Sequence, residues 1–434
     1  MNDATPITLV PASLGAKTFV PISRPDVIDA LLGPERWAGD GERSLARSVF
    51  HKIGCLRQHK SAMALNELAL AYDPFNPDDD TVNQVTLTPE QELEKRQQLV
   101  ATLRKHALSA NYEEITAKGL ELILNNATPE GVHVEVDFTE LEVKMLFFRG
   151  EGDLKREKRD VTRLFLRKTT YAVPVYNRLM MALKFKPEAV RIAEIMEKDN
   201  LDEAAARKKF RKLRKHFPKS AATDHVYLKI FKNIPCYDVE MLFPNIRVKM
   251  KYRDKLQLGG SALIGTATWA LGTATKLLVA VALSPAVLAI ALLTGFGGII
   301  YSQIRNIFIT RDRYRMQLAQ SLYFQNLANN QGALALVVDE AEEEDVKEEV
   351  LLYSHLLAEP AAEDSLDVLD RKIEAFLAEK FDVNVNFDVH DALERLLAQG
   401  LVVRTAMGEL RALPLAEADR HLRARWCNLV DEAA

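Results

Sequence analysis

The sequence predicts an α+β membrane protein with an N-terminal helical region, an antiparallel-sheet-containing region, a transmembrane helical hairpin and a C-terminal winged-helix-like region. Three observations predict it. From Leu256 to Ile304 the only charged residue is Lys276, and a spanning helix needs about 20 predominantly apolar residues. Between Val132 and Tyr252 several runs are rich in β-branched and aromatic residues, the signature of strands. The segments at either end place apolar residues at helical spacing.

A chain of 434 residues, 48% hydrophobic and 27% charged, has room for two or three domains and enough apolar surface to fold. Its formal charge of -4 argues against a general nucleic-acid binder. Cys55, Cys236 and Cys427 are scattered and form no CxxC pair, so neither a disulfide framework nor a thiolate zinc site is indicated. A reducing compartment fits that usage. The start, MNDATPITLVPASLGAKTFV, lacks the charged opening and unbroken apolar run of a secretory signal. The first region is therefore expected on the cytoplasmic side.

Residues 1–126 read as a mainly helical cytoplasmic region. It breaks at Tyr72–Asp80, where two prolines sit among acidic residues, and helix resumes at Thr88-Pro89-Glu90. Residues 127–255 read as an α+β region whose runs HVEVDF, LEVKMLFF, VTRLFLRKTTYAVPVY, HVYLKIFKNI and IRVKMKY are expected to form one antiparallel sheet. A basic helix is expected within it at 202–219. Residues 256–304 are expected to be the hairpin, turning at Ser284-Pro285, where proline disfavours helix, or at Lys276. The glycines of both halves would let two helices approach closely in lipid. A buried helical hairpin away from lipid is the alternative. Lys249, Lys251, Arg253 and Lys255 precede this stretch, and Arg305, Arg311, Arg313 and Arg315 follow it. Basic flanks of that kind favour the cytoplasmic side for both termini. Residues 305–357 read as helical, with an acidic helix from Asp339 to Leu357, and 358–434 run helix, strand, helix, strand, strand, the order of a winged helix.

The stretches FKNIPCYDVEMLFPNIRVKMKYRD, LYFQNLANNQGALALVVDEAEEEDVKEEVLLYSHLL and FDVHDALERLLAQGLV resemble the domain-of-unknown-function family that includes transmembrane protein 143. The resemblance runs from Phe19 to Trp426. It implies a two-span membrane protein and supplies no reaction. The N-terminus carries no organellar targeting pattern, so the expected location is a bacterial inner membrane.

Four groups of residues are candidates for chemistry. His51, Cys55 and His59 lie on one stripe of a helix, but the outer two are about 12 Å apart along it, too far to share one ion, so a packed helix face is expected. The acidic run Asp339–Glu349 lacks the turn glycine and alternating ligands of a calcium loop; a solvated helix with a buried stripe of Val346, Val350 and Leu351 is expected. Arg207, Lys208, Lys209, Arg211, Lys212, Arg214 and Lys215 crowd one helix whose apolar side is Phe210, Leu213 and Phe217. Beside a membrane such cations would contact anionic headgroups. Lys276 is the polar residue within the expected hairpin.

No metal site, catalytic constellation or cofactor is implied, since GxxxxGK[ST] and nucleophile triads are absent. Residues 365–434 hold 13 acidic and nine basic residues, which makes nucleic acid a poor partner for the winged-helix-like region. The expected function is a non-enzymatic scaffold or adaptor holding a protein partner at the membrane, with homo-oligomerisation open. An oligomeric channel of two-span subunits and a membrane-bound enzyme with an unrecognised site are the alternatives.

Overall fold

The computed structural model describes residues 9–11, 17–78, 87–125, 132–136, 138–159, 168–214, 223–243, 246–250, 322–406 and 408–432. In chain order the elements are β1 (Leu9–Pro11), α1 (Arg24–Leu31), α2 (Asp40–Tyr72), α3 (Pro89–Ser109), β2 (Glu113–Glu114) and α4 (Ala117–Asn125). The middle of the chain supplies β3 (Val132–Val136), β4 (Leu141–Arg159), β5 (Lys168–Phe185), α5 (Glu188–Asp199), α6 (Glu203–Leu213), β6 (Val226–Pro235) and β7 (Ile246–Met250). Then follow β8 (Asn326–Asn329), α7 (Asn330–Ala358), β9 (Ala361–Ala362), α8 (Leu366–Phe381), α9 (Val389–Gln399), β10 (Val402–Arg404), β11 (Glu409–Ala412) and α10 (Leu415–Glu432).

The main sheet has the order β1-β4-β5-β6-β8, every neighbour antiparallel, with β2 also on β4. Met145 faces Ala182, and Met180 faces Ile230, across the ladders. Side chains alternate along a strand, so Met180 and Ala182 join α2, α3 and the first half of α7 in one core. Leu179, Met181 and Leu183 point the other way, onto Leu120, Val239 and Phe243. Both faces are covered, which explains why LEVKMLFF and LMMALKF read as near-continuous apolar runs. The strands do not all enter one sheet. HVEVDF and IRVKM pair with each other, Val132 opposite Met250, in a separate ladder.

α2 is about 50 Å long at 1.5 Å per residue and serves two cores. Ala46, Val49, Phe50, Ile53 and Leu56 pack with the second half of α7 and with α8, α9 and α10, whereas Leu68 and Tyr72 pack on the sheet side. Its partner α3 starts where Thr88 forms a capping box: Thr88 Oγ1 accepts from the Gln91 amide, and Gln91 Oε1 accepts from the Thr88 amide, with Pro89 at the first helical position.

The last third of the chain runs helix, strand, helix, helix, strand, strand, with β9 beside β11 and β11 beside β10. That order differs from the expected one in the short strand β9 that precedes α8 and pairs with β11. The strand expected at 384–387 is only a bridge, Val385 to Lys17. On α9, His390, Asp391 and Glu394 are exposed, while Arg395 turns inward.

The expected membrane fold and location are corrected. The structure is α+β, and among the described residues no helix is long and apolar enough to cross a membrane. Of its long helices, α2 carries charged residues from Asp40 to Glu67 and α7 carries them across its middle from Asp339 to Glu349, where they pair or face solvent. This finding points against a two-span protein of a bacterial inner membrane. The hairpin expected at 256–304, including Lys276 and Ser284-Pro285, lies outside the described residues.

Candidate functional site: a charged cleft beside the central helix

The acidic helix is not solvated. Glu340, Glu344, Glu348 and Glu349 of α7 are buried, because cations from other elements converge on them. On one side, Asp345 meets Arg57 of α2 and Arg395 of α9, each at 3.2 Å. Glu349 takes the same two arginines and accepts from Gln399 Nε2 at 2.9 Å; Glu348 pairs with Arg395. A buried carboxylate left alone is costly by several kcal/mol, and the planar guanidinium can serve two carboxylates at once. Three carboxyls share two arginines here. Burial, with Glu344 and Asp345 nearby and Arg395 opposing, pushes the Glu348 carboxyl up to about 8, and burial also raises Asp345 against the pull of Arg395 and Arg57.

On the other side, one or two residues round the helix, Glu340 accepts from the Tyr112 hydroxyl at 2.6 Å and from Arg178 Nε at 3.1 Å, with Arg149 Nη1 at 3.6 Å. Glu344 takes Arg149 Nη2 at 3.2 Å, Lys347 Nζ at 2.9 Å and the Val20 amide. Burial and then Glu340 hold the Tyr112 phenol far above its ordinary value.

Residues 17–23 form a strap across this side. The Lys17 amide donates to Asn384 O and the Asn386 amide to Lys17 O; Asn111 Nδ2 donates to Thr18 O, and Lys347 Nζ to Val20 O. Val20 enters the helical core, and Ser23 caps α1 through the Asp26 amide. The Phe19 ring lies 4.5 Å from the Arg149 guanidinium. It packs so close to Gly150, whose φ is +70°, that a Cβ there would sit 2.7 Å from its Cε1. Between strap, sheet and α7 opens a cleft of about 510 Å³ whose lining includes Lys17, Arg149, Arg178, Glu340, Glu343 and Lys347. Lys17 is half-buried, which lowers its pKa.

The basic helix is α6, packed on α5 around Ile192, Ile195, Ala206 and Phe210. This two-helix finger sits between β5 and β6 in the chain. Asp202 caps it through the Ala205 amide. Arg207, Lys208, Lys209, Arg211 and Lys212 are exposed. Arg207 pairs with Glu203 at 2.9 Å and Lys209 with Asp199 at 2.5 Å; Lys208, Arg211 and Lys212 make no ion pair among the described residues. Arg214 departs from the expected surface set: it reaches inward to Glu140 at 3.5 Å and lies over the Phe185 and Phe210 rings. Lys215 and Phe217 lie outside the described residues.

Along the stripe on α2, Cys55 Sγ lies 3.6 Å from His51 Nε2 while the His59 ring stands edge-on to Trp426. Among the described residues no cluster of His, Cys, Asp and Glu is arranged to hold a metal ion. Sequence reasoning missed Arg57, Arg149, Arg178 and Arg395. The signal was faint: Arg149 follows MLFF and Arg178 precedes LMMALKF, cations set in runs that otherwise bury on both faces.

A domain of unknown function, DUF3754, is found over residues 165–332. Among the described residues it takes in β5, the α5–α6 finger, β6, β7, β8 and the first three residues of α7. No solved structure matches the chain.

Proposed function

We propose that the protein is a non-enzymatic scaffold that holds an acidic protein partner on the α5–α6 finger. The observation that carries this reading is the exposed face of Lys208, Arg211 and Lys212, cations without an ion pair among the described residues, on a finger that has its own small core. Exposed cations of this kind steer an acidic surface and set its association rate more than they set affinity. The finger lies wholly inside the matched domain. The wider resemblance, from Phe19 to Trp426, to the family that includes transmembrane protein 143 belongs to this reading and brings no reaction with it.

The test uses the full chain in cells, with a photo-crosslinking residue at Ala204, which is exposed on α6. The expected result is one adduct with a protein whose contact surface is acidic, lost when Lys208, Arg211 and Lys212 are all changed to Glu. An adduct indifferent to the charge reversal, or crosslinks to lipid in place of protein, would overturn the reading. Purified protein that turns over a substrate would favour an enzyme instead.

A further inference from the structure

We infer that the cleft under the strap is a binding site for a small organic anion with a carboxylate or phosphate head. Four cations line it: Lys17 from the strap, Arg149 from β4, Arg178 from β5 and Lys347 from α7. The carboxylates that touch them, Glu340 and Glu344, are both buried and already engaged on both oxygens. Glu340 Oε1 accepts from Arg178, and its Oε2 accepts from Tyr112. Glu344 Oε1 accepts from the Val20 amide, and its Oε2 meets Arg149 and Lys347. Those two carboxylates answer Arg149, Arg178 and Lys347, and with the exposed Glu151 and the half-buried Glu343 the acids of the cleft equal its four cations in number. What the cleft lacks is a partner at particular donors, and a half-buried cation without one is unfavourable until an anion meets it.

Those donors are localised. Lys17 makes no ion pair among the described residues, and its ammonium lies 5.9 Å from the centre of the Phe19 ring. Arg178 uses Nε on Glu340 and Nη1 on the Asn177 carbonyl, which leaves Nη2 to a ligand among the described residues. An ammonium and a guanidinium fork on one wall suit an oxyanion. The other lining acids, Glu151 and Glu343, have no ion pair among the described residues. They stand ready to accept from hydroxyl or ammonium groups at the far end of the same molecule.

The groups are held in place before any ligand arrives. Lys17 is fixed by main-chain bonds to Asn384 and Asn386 on both its amide and its carbonyl, and Arg149 is stacked on Phe19 and paired twice. Preorganisation lowers the cost of binding. The volume of about 510 Å³ lies within the range of small-molecule sites.

The test is calorimetric titration of the full chain with inorganic phosphate and, separately, with acetate, at constant ionic strength. Saturable binding by either is expected, weakened about tenfold or more in Lys17→Gln and in Arg178→Gln, as for loss of a charged hydrogen bond. The melting temperature of ligand-free Lys17→Gln should stay that of the wild type. Saturation by phosphate alone assigns a phosphate head, by acetate alone a carboxylate; either upholds the site. No saturable binding by either anion would overturn it. So would undiminished binding in Lys17→Gln, or binding lost instead in Lys208→Gln/Lys212→Gln, which would place the anion on the finger.

Discussion

Replacing Arg395 by Met tests the idea that α9 is held to the central helix by charge. In the wild type its guanidinium reaches Asp345 at 3.2 Å, Glu349 at 3.4 Å and Glu348. The methionine keeps most of the packed stem and removes the cation, so three carboxyls are left with Arg57 alone. Breaking a buried pair costs about 3–5 kcal/mol. That figure should depend on pH, because a carboxyl without its arginine can escape the penalty by taking a proton. Glu348 is held up to about 8 against an ordinary 4.5, so the folded chain binds this proton more tightly than the unfolded one between those values. Its contribution to stability is therefore fully present below 4.5, declines as pH rises and is gone by about 8, a span of at most about 4–5 kcal/mol. Urea unfolding followed by tryptophan fluorescence at pH 5 and pH 8, with hydrogen exchange on α9, should show a loss of about 3–5 kcal/mol at pH 8 and about half that at pH 5. Adding Glu348→Gln should recover about 1–2 kcal/mol at pH 8, a coupling that only residues in contact show. A loss under about 1 kcal/mol at pH 8, or equal losses at both pH values, would refute the account.

Two further outcomes follow from particular residues. Gly150→Ala puts a Cβ at φ +70° and 2.7 Å from the Phe19 ring, so it should cost about 1–3 kcal/mol and raise protease sensitivity of the strap; unchanged protection would show that Phe19 does not pack there. His355 donates from Nδ1 to Leu351 O at 2.7 Å and stands edge-on to Phe376, and burial chiefly, with Arg36 and Lys372 nearby, depresses its pKa to about 4. The unfolded chain takes up that proton first, so stability should fall by roughly 3 kcal/mol as pH drops from 6.5 to 4; His355→Leu should flatten this acid limb, and an unaltered limb would assign it to other groups.

Much of the element order was legible because it is local. Thr88-Pro89 with Gln91 three residues after the threonine marks the start of a helix wherever it occurs, and the helix stands there. The turn from α9 into β10 at Gly400, φ +72°, favours a residue free of a Cβ, and the apolar residues of LEVKMLFF mark a strand by their own local preference. The seven-cation run also placed its helix, although Arg214 faces the Phe185 and Phe210 rings, which the run itself does not reveal.

What the sequence by itself determined was therefore the α+β alternation and the apolar stripes, since each depends on residues within a turn or two of one another, whereas the acidic helix begins at Asn330 and not at Asp339, and the basic helix ends at Leu213 and not at 219. Only the tertiary structure decided the fate of the acidic run. Read alone, Asp339–Glu349 is a solvated helix, because a buried carboxylate is prohibitive without a cation and no cation of the right number sits nearby in the chain. Arg57 lies nearly three hundred residues before Glu349, at a separation of 292, and Arg149 and Arg178 come from strands. The same distance hid the cleft. Its floor is made by residues 17, 149, 178 and 347, brought together because β4 and β5 pair and the strap crosses them. Long-range charge pairing leaves no periodicity in a sequence, and it is that pairing which turns an acidic surface helix into the centre of the molecule.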